Sequence, residues 1–463
     1  MRTILVLCFF CMFGISIPLS RADAPEIIWE SATDFSAQFH AVTETPDGGL
    51  IIAGTFSSHP CLYKYEMAGD TLWTYQPELP VGFTGALVSV EETSGGYITC
   101  GKTVSDDGNM DYFLALVDPD GEEVWNRSID LGEDEVARAI LPGSSGGFYS
   151  CGYIDPEGSL RPRALTMAHT PTGDTLWTAT WWNINVCKSV DLEEMPDGSI
   201  VVVAQAGRPE MLSYTPEGDL TWSRYYTELQ VTPPCAMVAD SIGICFGTFY
   251  YSGLCRTDLL GEPVWWDYYG MVPGGNYFEG LTRTRDGGYA AAGWISEIPG
   301  ADSADREIVD GWIIRIGPSG KVLWYDLIME FHPAGPKLMD VIQVSTGGYV
   351  AVGYRSGAGW QMCYAPETGI EEGEGLPAML LGAPSPNPSC GGFSIPYSVP
   401  GPMSLDLSVY SLEGHRVADL IQGPSEEGQQ VFDWDAGDLP SGCYVIVLRA
   451  GQVVESRRCV LCR

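Results

Sequence analysis

The apolar residues of this chain fall in short bursts between turns, and the bursts recur. Seven stretches share one pattern, a turn rich in Gly, Asp or Ser followed by a β-prone run that closes on a small residue: "DGGLIIAG", "SGGYITCG", "SGGFYSCG", "DGSIVVVA", "DSIGICFG", "DGGYAAAG" and "TGGYVAVG". Their last residues are Gly54, Gly101, Gly152, Ala204, Gly247, Gly293 and Gly353, spaced 43 to 60 residues apart. A second pattern alternates with the first, a glycine followed four residues later by a tryptophan: "MAGDTLWT", "DPDGEEVWN", "TPTGDTLWT", "TPEGDLTWS", "LLGEPVWW" and "GPSGKVLWY". Each unit also holds a short apolar stretch such as "HAVTET", a variable loop and an alternating segment such as "YFLALV". Period-two alternation bounded by Gly and Asp turns predicts strands joined by hairpins, four to a unit.

Seven such units predict an all-β fold, a seven-bladed β-propeller over residues 23–370, in which neighbouring blades bury one another's faces. The tryptophans then sit at one register on the outermost strand, where each ring packs into the adjacent blade. Six of them, Trp73, Trp125, Trp177, Trp222, Trp265 and Trp324, serve seven blades. The seventh unit reaches its last turn at Gly369 and runs into "EEGEG", whereas "PEIIWE", with Trp29, precedes the first inner strand. The N-terminus is therefore expected to supply the last blade's outer strand and close the ring, which removes the exposed edges of an open array. The glycine-to-tryptophan register resembles the tryptophan-docking repeat of quinoprotein-like propellers over roughly residues 25–370. Those enzymes typically have eight blades, and some use adjacent cysteines over the quinone. This chain counts seven and has no Cys-Cys pair, so the resemblance implies no cofactor.

Charge narrows the partners. Sixty acidic against 24 basic residues give a formal charge of -36, which disfavours nucleic acid and anionic lipid. The N-terminus, one arginine, an apolar run from Ile4 to Ile17 and then Ser20-Arg21-Ala22, reads as a signal peptide over 1–22, cleaved before Asp23. The run is shorter than the ~20 residues of a spanning helix, and no later segment is apolar enough to span. Twelve of the 14 cysteines remain after cleavage, and in an oxidising compartment some are expected to pair. Cys443 and Cys459 flank an expected hairpin turn at Ala450-Gly451 and are the first pair to test. Cys100 and Cys151 occupy equivalent positions in neighbouring units and read as buried volume.

Residues 371–383, "EEGEGLPAMLLGA", interrupt the repeat with charge, glycine and proline and read as a linker. Beyond them, alternation in "LDLSVY" and "YVIVLR" between Gly-rich turns predicts a small antiparallel sandwich over 384–463. Asn387-Pro388, "YSVP", "VYSLEGHRV", Trp434-Asp435, "LPSGCY" and "LRAGQ" resemble the C-terminal sorting domain of type IX secretion substrates, similar to the Ig-like domain of flagellar hook-capping proteins. The resemblance implies the type IX secretion machinery as a partner and the bacterial surface or medium as destination. Cys390, Cys443, Cys459 and Cys462 are foreign to that pattern and leave open a structural Ig-like module.

Candidate chemistry is sparse. Gly143-Ser-Ser-Gly-Gly147 satisfies Gly-x-Ser-x-Gly, but it occupies a turn of the repeat and lacks the strand-to-helix context of a nucleophile elbow. His40, His59, His169, His332 and His415 have no metal-ligand spacing, Cys459-Val-Leu-Cys462 reads as strand, and "DDGNMD" and "DPDG" read as turns before calcium loops. The loops say more. In a four-stranded blade the tight turns share one face and the variable loops share the other. Trp181, Trp182, Tyr225, Tyr226, Trp266, Tyr268 and Trp294 belong to that second face, with Asp302, Asp305 and Asp310 in and beside its longest loop. Aromatic rings and carboxylates there predict a surface binding or adhesion module for carbohydrate or protein. The rival readings are a polysaccharide-active enzyme using Asp and Glu of the same face, and a structural spacer.

Overall fold

The apolar bursts between residues 27 and 364 form 28 strands, and these sort into seven antiparallel four-stranded sheets. The computed structural model describes residues 24–462 apart from 157–160, 183–186, 228, 230–232, 250–251, 270–274, 298–307, 333–334, 368–379, 382–383, 385–388, 390, 400–402, 412–415, 426–427, 438 and 451–452. Blade 1 runs from an inner strand, Ala37–Glu44, through Leu50–Phe56 and His59–Tyr65 to an outer strand, Thr71–Tyr75. The order repeats through blade 6. Blade 7 takes Lys337–Gln343, Tyr349–Arg355 and Ala358–Tyr364 from its own unit and Ile27–Phe35 from the start of the chain, pairing Trp29 with Cys363 and Ala32 with Trp360. The protein is a seven-bladed β-propeller, closed as the tryptophan count predicts.

Both recurring glycines have a steric cause. Every inner strand carries a bulge at one place, between Phe39 and Ala41 in blade 1 and between Phe278 and Gly280 in blade 6. The bulged backbone presses its carbonyl onto the glycine that closes the first motif: a Cβ on Gly54 would lie 2.1 Å from the Gln38 oxygen, and one on Gly293 1.8 Å from that of Tyr277. The second glycine receives the preceding blade's tryptophan. Trp29 covers Gly69, Trp73 covers Gly121, Trp177 covers Gly218 and Trp265 covers Gly320. Most of these rings are half-buried; Trp324, at 4% exposure, is buried.

The apolar core is divided among the joints between blades. Ile51, Ala53 and Leu62 of blade 1 meet Val90, Tyr97 and Phe113 of blade 2, and Ala290, Ile313 and Trp324 of blade 6 meet Val341, Tyr349 and Trp360 of blade 7. Residues 380–461 form two further antiparallel sheets, one of three strands and one of four. They share one core in which Phe393, Ile395 and Trp434 face Leu407, Val409, Ile446 and Leu448. No helix of the described residues is long and apolar enough to cross a membrane.

Two cysteine expectations are corrected here. All described cysteines are free. Cys443 lies opposite Val460, and Cys459 lies opposite Tyr444. The hairpin is one residue out of step with the expected pairing, so the two thiols leave on opposite faces of the sheet. Cys100 and Cys151 are fully buried, as their register predicts.

Candidate ligand sites on the loop-rich face and in the channel

Antiparallel order puts the first-to-second and third-to-fourth strand turns on one face of the ring and the remaining loops and interblade connections on the other. Groups of the tight-turn face are committed to holding blades together. Ser144, inside the Gly-x-Ser-x-Gly stretch, donates its N–H and Oγ–H to the Glu194 carboxylate of the next blade at 2.6 and 2.5 Å. Ser345 N–H donates to Glu44 at 2.6 Å and Arg285 N–H to Gln343 at 2.9 Å in the same way. Ser144 is thus a stitch, and Ser145, the serine of that match, sits in the hairpin turn closed by the Gly146 N–H on the Gly143 carbonyl at 2.9 Å, with no strand-to-helix step around it.

The loop-rich face holds all five described non-glycine residues at positive φ, and all are serines: Ser36, Ser57, Ser58, Ser252 and Ser356. Such backbone costs on the order of 1 kcal/mol or more per residue and persists only where its surroundings impose it. Around the closure seam the imposing bonds are visible. Ser36 N–H donates to the Gly357 carbonyl at 2.7 Å, Ser57 N–H to that of Ser36 at 2.7 Å, and Gly85 N–H to that of Ser58 at 2.8 Å. These loops enclose an open groove of about 730 Å³ lined by the serine turns with Gln38, Thr55, Thr84 and Lys102.

A second concentration of chemistry lies on the axis. Glu91 of blade 2 feels Asp340 of blade 7 and Asp191 of blade 4, His40 of blade 1 feels Arg138 of blade 3, and Glu279 of blade 6 feels Arg138 and Lys337. Only side chains pointing into a shared central channel couple across so many blades. Enclosure by protein raises the Glu91 and Glu193 carboxyls to about 8, with neighbouring carboxylates adding to the effect. Asp191 and Asp340 are raised less far, because each accepts two backbone hydrogen bonds against one for Glu193. Asp191 takes the N–H of Met237 at 2.7 Å and Asp340 that of Val42 at 2.9 Å, so both join their inner strand to the next blade's. These four residues remain half-buried, because the channel is open to water. His40 is held down to about 4 by burial and by Arg138.

The nominated face residues fare unevenly. Trp182, Tyr225 and Trp266 are 63%, 37% and 47% exposed, and Tyr268 is half-buried; all four sit on or beside outer strands, at the rim. Tyr226 is fully buried, donating its hydroxyl to the Gly261 carbonyl at 2.8 Å, and is an interblade strut. Trp181 occupies the same place one blade earlier, packed on Ala164, Cys187 and Ala204. Trp294 is locked in place. It stacks on Tyr277 at 3.8 Å, carries the Lys337 ammonium 3.5 Å from its ring centroid and donates Nε1–H to Glu279 at 3.1 Å. Asp310 is buried at 4% exposure, so it is no rim carboxylate. Asp302 and Asp305 lie outside the described residues.

Sequence reasoning passed over the groove and the channel. Counted back from the closing residues Gly101 and Ala204, Glu91 and Glu193 fall one position apart, because the first turn of blade 2 is a residue shorter; only the strand pairing, Glu91 with Ile98 and Glu193 with Val201, brings them to one register.

No protein-family model and no curated protein matches the chain. Among solved structures it is similar to a protein of unknown function from Bacteroides caccae, with 14% sequence identity and a TM-score of 0.39, over 66% of this chain and 98% of that one.

Proposed function

We propose that this protein is an exported binding module of the bacterial surface, whose propeller takes a carbohydrate in the groove between the serine turns. The groove carries the reading: hydroxyl, amide and ammonium groups, interspersed with Ala86 and Val104, line about 730 Å³ of open volume. Hydrogen-bonding groups set among small apolar side chains suit a sugar, which presents hydroxyls and C–H faces together. Tryptophan docked on the next blade's glycine supports kinship with the quinoprotein-like repeat. A C-terminal unit with its own core supports the reading of residues 384–463 as an Ig-like sorting domain for the type IX machinery.

A glycan panel tests the ligand. Gln38→Ala and Lys102→Ala should each weaken capture without lowering the melting temperature, since neither side chain is part of an apolar core. If capture is instead lost with Trp182→Ala or Trp266→Ala, the site is the aromatic rim; if only protein ligands are captured, the carbohydrate reading fails. Truncation after Gly382 should leave a folded propeller that no longer reaches the cell surface, and normal surface display of that truncation would remove the sorting role.

A further inference from the structure

A buried glutamate at the joint between blades 2 and 3 has an oxygen with nothing to bind. Glu135, on the inner strand Asp134–Pro142, is fully buried, and its Oε1 accepts the N–H of Glu133 at 3.2 Å. Its Oε2 is enclosed and has no hydrogen-bond partner. A buried carboxylate oxygen left so is costly unless a proton donor or a cation meets it. What it meets here is two more carboxylates: one oxygen each of Asp111, Asp130 and Glu135 lie within 4.8 Å of one another. No lysine or arginine of the described residues pairs with any of the three.

The surrounding bonds hold these carboxylates in place without neutralising them. Asp111 accepts from Asn109 Nδ2 at 2.8 Å and from the Ser128 hydroxyl at 3.2 Å, and Asp130 accepts the N–H of Gly132 at 2.7 Å. The donors are neutral, so no cation among the described residues offsets the three carboxyls.

We propose that Asp111, Asp130 and Glu135 form a calcium site that ties blade 2 to blade 3 on the loop-rich face. The donor set is all oxygen, which selects a hard divalent cation over zinc or copper. Three carboxylates on separate segments, one of them exposed, suit the flexible six-to-eight-coordinate shell of calcium. Magnesium demands near-ideal octahedral geometry and takes one or two carboxylates. The ligands also span a joint. Asp111 lies on the third strand of blade 2, Met110–Val117, Asp130 in the connection, and Glu135 on the first strand of blade 3. Asp134 already crosses that joint by accepting the N–H of Met110 at 2.9 Å. Bound calcium adds a second fastening beside it and fixes the connection at residues 130–133. This inference is independent of the carbohydrate reading, since none of its residues lines the groove.

Calorimetric titration of the EDTA-stripped full chain with calcium and with magnesium, alongside thermal melts, decides it. The parent should bind one calcium with affinity on the order of 10⁻⁴–10⁻³ M, as extracellular calcium modules do, and melt higher when loaded. Glu135→Gln should weaken calcium binding by about tenfold or more through loss of ligand charge. Stripped of metal, the same variant should melt no lower than the parent, because it removes an unmatched buried charge. A merely structural glutamate does not produce that crossing of melting curves. Should Glu135→Gln fail to fold, exposed Asp130→Asn decides by the same loss of affinity. The site is overturned if the parent binds neither ion saturably, if magnesium binds as tightly as calcium, or if calcium binding survives both substitutions unchanged.

Discussion

The indole Nε1 of Trp125 donates a 3.2 Å hydrogen bond to the carbonyl of Pro171, and its ring fills the space where a side chain on Gly173 would stand. A Cβ at Gly173 would fall 2.6 Å from the ring, at a φ of +81° that penalises any L side chain. One glycine is therefore held by two independent constraints. Gly173→Ala should destabilise by about 1–3 kcal/mol, from backbone strain and displaced ring together. Trp125→Ala should cost about 2–3 kcal/mol, below the range for a fully buried tryptophan because the ring is half-exposed. Chemical denaturation of both variants and their double mutant measures the coupling. A double-mutant cost equal to the sum of the single costs would show that ring and glycine act independently.

Closure of the ring rests on a strand contributed from the far end of the sequence. Deleting residues 24–35 removes Trp29 and leaves Ala358–Tyr364 as an unpaired edge. We expect a sharply lower melting temperature and self-association through the bared edge. A monomer of parental stability would mean that the N-terminal strand is dispensable.

Arg315 is 1% exposed and serves three acidic or phenolic partners at once: Asp286 at 2.5 Å, Glu367 at 3.2 Å and the Tyr349 hydroxyl at 2.9 Å. Replacing it by methionine keeps the volume and leaves Glu367 largely enclosed without its counter-charge. The cost should be about 3–5 kcal/mol, with much of it recovered by adding Glu367→Gln. Equilibrium unfolding of the single and double variants measures both.

The channel makes stability depend on pH with opposing signs. Glu91 and Glu193 titrate near 8 in the folded protein against an ordinary 4.5, so folding takes up protons between those values and stability falls as pH rises through that window. His40, lowered from 6.5 to about 4, acts the other way: its contribution is lost as pH falls below 6.5. Two carboxyls outweigh one imidazole, so together these three groups favour the folded state most near about pH 4.5 and least above about pH 8. The double variant Glu91→Gln, Glu193→Gln should melt higher than the parent at about pH 8.5 and no higher at about pH 5. The gain should be modest, because water in the channel screens these half-buried groups. Equal melting shifts at both pH values would show that their charge is not responsible.

Much of the fold was legible in the sequence because it is local and repeated. Alternation with period two, turn glycines and a tryptophan four residues after each of them specify strands, hairpins and blade count. The surplus of one outer strand at the start and the lack of one at the end specify the closure. The same repetition hides the site. A repeat assigns each residue a place within its blade, but the distance between residues of different blades depends on the turn of the ring about its axis. That rotation brings Glu91, Asp191, Glu193 and Asp340 into one channel and aligns Asp111 with Glu135, residues that no sequence spacing connects. It also separates what the sequence suggested was alike: Tyr226 is a buried strut while its neighbour Tyr225 is exposed, because successive residues of an extended chain point to opposite sides. Pattern alone determined the propeller; which aromatic rings meet solvent, which cysteines stay apart and which carboxylates converge was decided by register and ring closure, since these set the long-range distances on which burial and charge depend.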